Sequence, residues 1–187
     1  MQEPLDAARS VCAVVTGIQD VVTATGLNRS SLYATFGGKQ ELYRAALRRY
    51  MDQRSRPAFR SLAEDERGLR AVAEFFDGLI EARCAGEHAR WGCLVSHAHA
   101  GAENSDSEIR ALLDQHHQEL RDAMHAALVT AEAQGRLAAG TDPGAAAELL
   151  ALLAYGVYLR SRAGADAGAL HATVAAALQS LSNRTVV

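Results

Sequence analysis

Apolar residues recur along this chain at the three-and-four spacing of helices, not at the alternation of strands. Ile18, Val21 and Val22 form one short stripe, and Leu32 and Phe36, four apart, form the next. A much longer stripe runs through Ile109, Leu112, Leu113, His116, Leu120, Met124, Ala127 and Leu128. Between Leu149 and Leu159 apolar residues occur on nearly every face of the turn, a pattern that requires burial on several sides. Leu170, Val174, Leu178 and Leu181 stripe the last segment.

Start and stop signals divide these stripes. Thr16 with Gln19 makes a capping box for a helix from Gly17, and Gly26 stands where a left-handed C-cap is wanted. Asn28 caps a second helix, Gly37-Gly38 breaks it, and Lys39 begins a third that ends at Arg56-Pro57. Further helices are expected over roughly 67–86, 91–101, 106–134, 143–163 and 166–182. Ser105–Glu108 reads as a capping box, and Asp142-Pro143 places proline at a first helical position. The fold class is therefore all-α.

Composition agrees, since 187 residues with 49% hydrophobic content and only three Pro suit a helical core. The net charge of -3 hides an asymmetry. Residues 1–60 carry nine Lys or Arg against five Asp or Glu, while 61–187 carry ten against seventeen. The apolar run at Leu149–Leu159 is short for a membrane span, and the N-terminus has no signal-peptide pattern, so a cytoplasmic location is expected. Cys12, Cys84 and Cys93 make neither a secreted disulfide framework nor a CxxC metal pattern.

The basic part holds the chemistry. With Leu32 and Phe36 turned inward, the helix after Asn28 leaves Arg29, Ser30, Ser31, Tyr33 and Thr35 outside. Small hydroxyls approach base edges, Arg binds guanine through two bonds, and Tyr donates to phosphate. Lys39, at a helix start with free backbone N–H groups, suits a phosphate as well.

The string Thr16, Asp20-Val21-Val22, Ala24, Gly26-Leu27, Leu32-Tyr33, Phe36, Lys39 and Glu41-Leu42 resembles, in order and spacing, the DNA-binding domain of the TetR/AcrR family of transcriptional repressors. The resemblance implies a helix-turn-helix DNA-binding domain over 1–54 and a helical effector-binding and dimerisation domain over 55–187. It implies DNA contacts at Thr16, Asn28, Arg29, Ser30, Ser31, Tyr33, Thr35 and Lys39. It also implies a homodimer through the last two helices, which would set two recognition helices about 34–36 Å apart on a palindromic operator. One departure stands out: Ala7–Val15 leaves too little room for the family's first helix and following loop. Either that helix is shortened or residues are lost between Cys12 and Thr16, and the family's spacing favours the second; Leu5, Ala8, Cys12 and Val15 still make an apolar stripe.

A small-molecule effector, on this reading, sits among Phe76, Ile80, Trp91, Cys93, His97, His116, Leu120, Met124, Tyr155 and Tyr158, apolar walls with a few polar tips. Ordinary cores have the same composition, and Phe75, Leu79 and Ile80 read as structural more readily than as ligand contacts. His97, His99, His116 and His117 suggest a metal at first sight, but residues two apart do not share a helix face, and no metal or other cofactor is expected. The Trp91-Gly92-Cys93-Leu94-Val95 run resembles a stretch in a subset of TetR/AcrR regulators, some of which sense oxidants or electrophiles through cysteine. A cysteine-sensing regulator and a helical carrier or adaptor are thus the alternatives to a ligand-responsive repressor. An enzyme finds no support in the absence of a P-loop, a G-x-S-x-G elbow, an H-E-x-x-H motif and a Rossmann glycine pattern.

Overall fold

The computed structural model describes residues 28–85 and 93–183. The expected helix from Gly17, its Thr16 cap, Cys12 and Trp91 lie outside the described residues. The described helices are α1 (Arg29–Phe36), α2 (Lys39–Tyr50), α3 (Arg56–Glu64), α4 (Leu69–Cys84), α5 (Leu94–Ala100), α6 (Ser107–Ala133), α7 (Pro143–Arg162) and α8 (Ala167–Leu181). A π turn at Met51–Ser55 joins α2 to α3, and a 3-10 turn at Ala102–Ser105 precedes α6. No strand occurs among the described residues.

Two compact units emerge. The first takes the chain up to Ser55 together with Cys93–His116, and the second takes Arg56–Gly92 with His117–Val187. In the first, Leu32 of α1 is buried, as are Leu42, Ala46, Leu47 and Tyr50 of α2 and Cys93, Leu94, Val95, Ala98, Ile109 and Leu113. In the second, Val72, Phe76 and Ile80 of α4 share a core with Leu120, Met124 and Leu128 of α6, with Leu150 and Val157 of α7, and with Leu170, Val174 and Leu181 of α8. The last-helix stripe is thus used within the chain.

Three details differ from the pattern reading. Arg56-Pro57 does not end helical winding: the π turn at Met51–Ser55 leads straight into α3, whose second residue is Pro57. α3 then buries Phe59 and Leu62. The cap of α6 is Asp106, whose Oδ1 accepts the amides of Glu108 and Ile109 at 3.0 Å each, one residue beyond the Ser105 expected from the capping box. Aspartate caps as well as serine does, so a residue-by-residue scan has no means of choosing between them. Finally, α7 is not covered all round. Leu149, Leu152 and Leu159 are 51%, 56% and 51% exposed, because the chain's own helices cover only the opposite side. No helix among the described residues is long and apolar enough to cross a membrane.

Candidate nucleic-acid interface

Local chemistry fixes α1 at both ends. Asn28 is extended, and its Oδ1 accepts the Ser31 amide and the Ser30 hydroxyl, each at 2.7 Å. At the other end Gly37 adopts φ +83°, a left-handed conformation that side chains with a Cβ resist, and its N–H donates to Tyr33 O at 2.8 Å. The eight residues between bury only Leu32. Arg29, Ser30, Ser31, Tyr33 and Thr35 are all exposed, as is Asn28 itself. The Arg29 guanidinium lies 5.6 Å from the centre of the Tyr33 ring, so the two largest exposed side chains are held together.

Lys39 is the exposed first residue of α2, whose first turn has no side-chain cap. Uncapped amides and a lysine at one helix start favour an anion. Seven of the eight candidate DNA contacts therefore lie on α1, at its cap or at the start of α2. Thr16 lies outside the described residues.

The buried side of α2 carries two ties that the periodicity does not reveal. The Tyr50 hydroxyl donates to Cys93 Sγ at 3.5 Å. Arg44 donates to Asp106 Oδ2 at 2.5 Å and also faces Glu108 and Glu41, at 3.2 and 3.7 Å. The hydrogen bond from Arg44, reinforced by the Ile109 amide, holds the Asp106 carboxyl below its ordinary range, and Asp106 in turn raises the Arg44 guanidinium. Arg44 and Asp106 stand 62 residues apart, and nothing in the sequence joined them.

The candidate effector residues do not gather in a single unit. Phe76, Ile80, Leu120 and Met124 meet in the core of the second unit, with Tyr158 packed against it and under the Arg83 guanidinium at 5.2 Å. Tyr155 stacks on His117 at 5.8 Å, and His117 Nε2 lies 3.1 Å from both carboxylate oxygens of Glu148. Cys93, His97 and His116 are buried in the first unit. His97 and His99 both lie on α5, two residues apart.

Known proteins point the same way as this geometry. Residues 68–177 match the family model of the tetracyclin repressor-like C-terminal domain. The chain is 27% identical over 153 residues to the HTH-type transcriptional repressor ComR of Escherichia coli, covering 81% of this chain and 72% of ComR. It is 25% identical over 122 residues to the HTH-type transcriptional regulator YezE of Bacillus subtilis, and that match spans 62% of YezE's length. Among solved structures, a cysteine mutant of the TetR family transcriptional regulator CifR, complexed with 26-base-pair operator DNA, superposes with a TM-score of 0.84 at 25% identity. That superposition covers 97% of this chain and 96% of CifR. The regulatory protein TetR from Rhodobacter sphaeroides shares the fold, with a TM-score of 0.84 at 19% identity over 96% of this chain and 97% of its own. With the family model covering more than half its length, this chain belongs to the TetR family of transcriptional regulators, proteins that bind DNA and are not enzymes.

Proposed function

We propose that this chain is a homodimeric, ligand-responsive repressor whose residues 1–54 bind a palindromic operator and whose residues 55–187 hold the effector and the partner subunit. The observation that carries the reading is the face of α1: a helix capped by Asn28 and Gly37 that buries one residue and presents Arg29, Ser30, Ser31, Tyr33 and Thr35. A merely solvated helix of this length more commonly carries Glu and Lys, whereas this set has donors for phosphates and base edges and no carboxylate. CifR, a relative over nearly its whole length, is known bound to operator DNA.

Dimerisation is supported by α7. Leu149, Leu152 and Leu159 fall on one stripe with Gly156, where an added Cβ would meet nothing within 4 Å. An apolar stripe broken by a small residue lets a second helix approach closely. α8 adds small exposed residues, among them Ala169, Ala172, Ala175 and Ala176. Of the expected effector residues, we keep for the effector those that share the second unit: Phe76, Ile80, Leu120, Met124, Tyr155 and Tyr158. Its binding favours a conformation whose recognition helices no longer match the operator, as coupling between the two ligands requires.

The test is a gel-shift titration of the purified protein against its own upstream intergenic DNA at two salt concentrations. Tight, sequence-selective binding that weakens steeply with salt is expected, since displaced counterions give a negative slope. Weak binding that is equal for unrelated DNA would turn the reading toward a carrier that has kept the fold without the operator.

A further inference from the structure

Asp106 divides its two oxygens between two helices. Oδ1 caps α6 through the amides of Glu108 and Ile109, and Oδ2 takes the Arg44 guanidinium of α2. Both side chains are largely withdrawn from water, Arg44 at 16% and Asp106 at 13% exposure, so the pair is screened less than a surface ion pair. α2 follows α1 after Gly37-Gly38 alone, and among the described residues α1, with Leu32 its one buried residue, packs against α2. Whatever fixes α2 therefore fixes the face that α1 presents.

We propose that Arg44 and Asp106 are positioning residues for DNA recognition, their ion pair locking α2 to the start of α6 so that α1 is held at one angle. The inference rests on the repressor reading given above. Neither residue lies among the exposed candidate contacts, so both act through α2 and not by touching DNA. Asparagine at 106 separates the two tasks of that side chain, because its amide oxygen still caps α6 while the charge that holds Arg44 is gone.

The experiment uses a fluorescein-labelled duplex selected from a random-sequence pool by the wild-type protein. Companion duplexes have their half-sites moved by about one base pair. Anisotropy titrations are run on wild type, Asp106→Asn, Arg44→Gln, Arg44→Lys and the Asp106→Asn/Arg44→Gln double variant, alongside thermal melts. Asp106→Asn and Arg44→Gln should each lose on the order of tenfold in affinity for the selected duplex, within the usual span of coupling between sites. They should discriminate less against altered spacing, while melting close to wild type. The double variant should be no worse than either single one, since one interaction is lost in all three, and Arg44→Lys should recover part of the loss. Wild-type affinity and spacing selectivity in both single variants would overturn the proposal. A loss of binding that simply follows a loss of folding across the whole series, lysine variant included, would do so too. If the wild-type protein selects no duplex at all, the repressor reading falls and this proposal falls with it.

Discussion

The Tyr50 hydroxyl donates to Cys93 Sγ at 3.5 Å, a contact that reaches from the last turn of α2 to the residue just before α5 and leaves the thiol 1% exposed. A thiol reacts as the thiolate and needs access to its reagent, so this placement should keep Cys93 slow to react in the native state. Ellman's reagent added to a Cys12→Ser/Cys84→Ser protein should label Cys93 slowly in buffer and rapidly in denaturant. Equal rates in both would mean that the buried contact opens readily, and would revive the cysteine-sensing alternative.

Recognition should separate into phosphate and base contributions. Tyr33→Phe and Lys39→Ala should weaken binding to all sequences about equally, with Lys39→Ala lowering the salt slope by about one. Arg29→Ala should also relax base preference, at a cost of about 1–3 kcal/mol at the position it reads. Competition titrations with point-mutated duplexes measure both effects. Unchanged affinity in both Tyr33→Phe and Lys39→Ala would show that neither residue meets a phosphate.

Leu152, at 56% the most exposed of the α7 leucines, lies at the centre of the proposed subunit seam. A charge there would be buried unpaired in a dimer but solvated in a monomer. Leu152→Glu should therefore move the protein from dimer to monomer in light scattering coupled to size exclusion, with its circular dichroism retained. A variant that stays dimeric would place the seam elsewhere.

Gly68, just before α4, adopts φ +62° and ψ -123°, and a Cβ there would come within 3.0–3.1 Å of Cα, Cβ and N of Ala131 on α6. The conformation is one that residues with side chains rarely adopt, and the neighbour is backbone that has little room to yield. Gly68→Ala should cost about 1–3 kcal/mol, read as a lower urea midpoint with an unchanged m-value. A neutral result would mean that α4 and α6 separate at this end without penalty.

The helices, most of their caps and the face of α1 were legible in the sequence because each depends on residues a few positions apart, although the α6 cap fell on Asp106 and not on the expected Ser105. Asn28 and Gly37 bound α1, Asp142 and Asp166 cap α7 and α8 through the amides of Gly144 and Ala169, and the stripe from Ile109 to Leu128 is buried except for the half-buried Leu112. The family motif belongs to the same category, since its spacing is local. What the tertiary structure decided is which partner each residue found. The α8 stripe turned out to serve the chain's own core, whereas three α7 leucines were left at the surface; hydrophobic periodicity identifies an apolar face without saying what covers it. Pro57 was compatible with either a break or a first turn, and the buried Phe59 and Leu62 favoured the turn. Cys93 and Phe76 looked like members of one effector set but pack in different units. The Arg44–Asp106 pair spans 62 residues, and no local rule joins them, because charge pairing is set by distance in space after the core has formed.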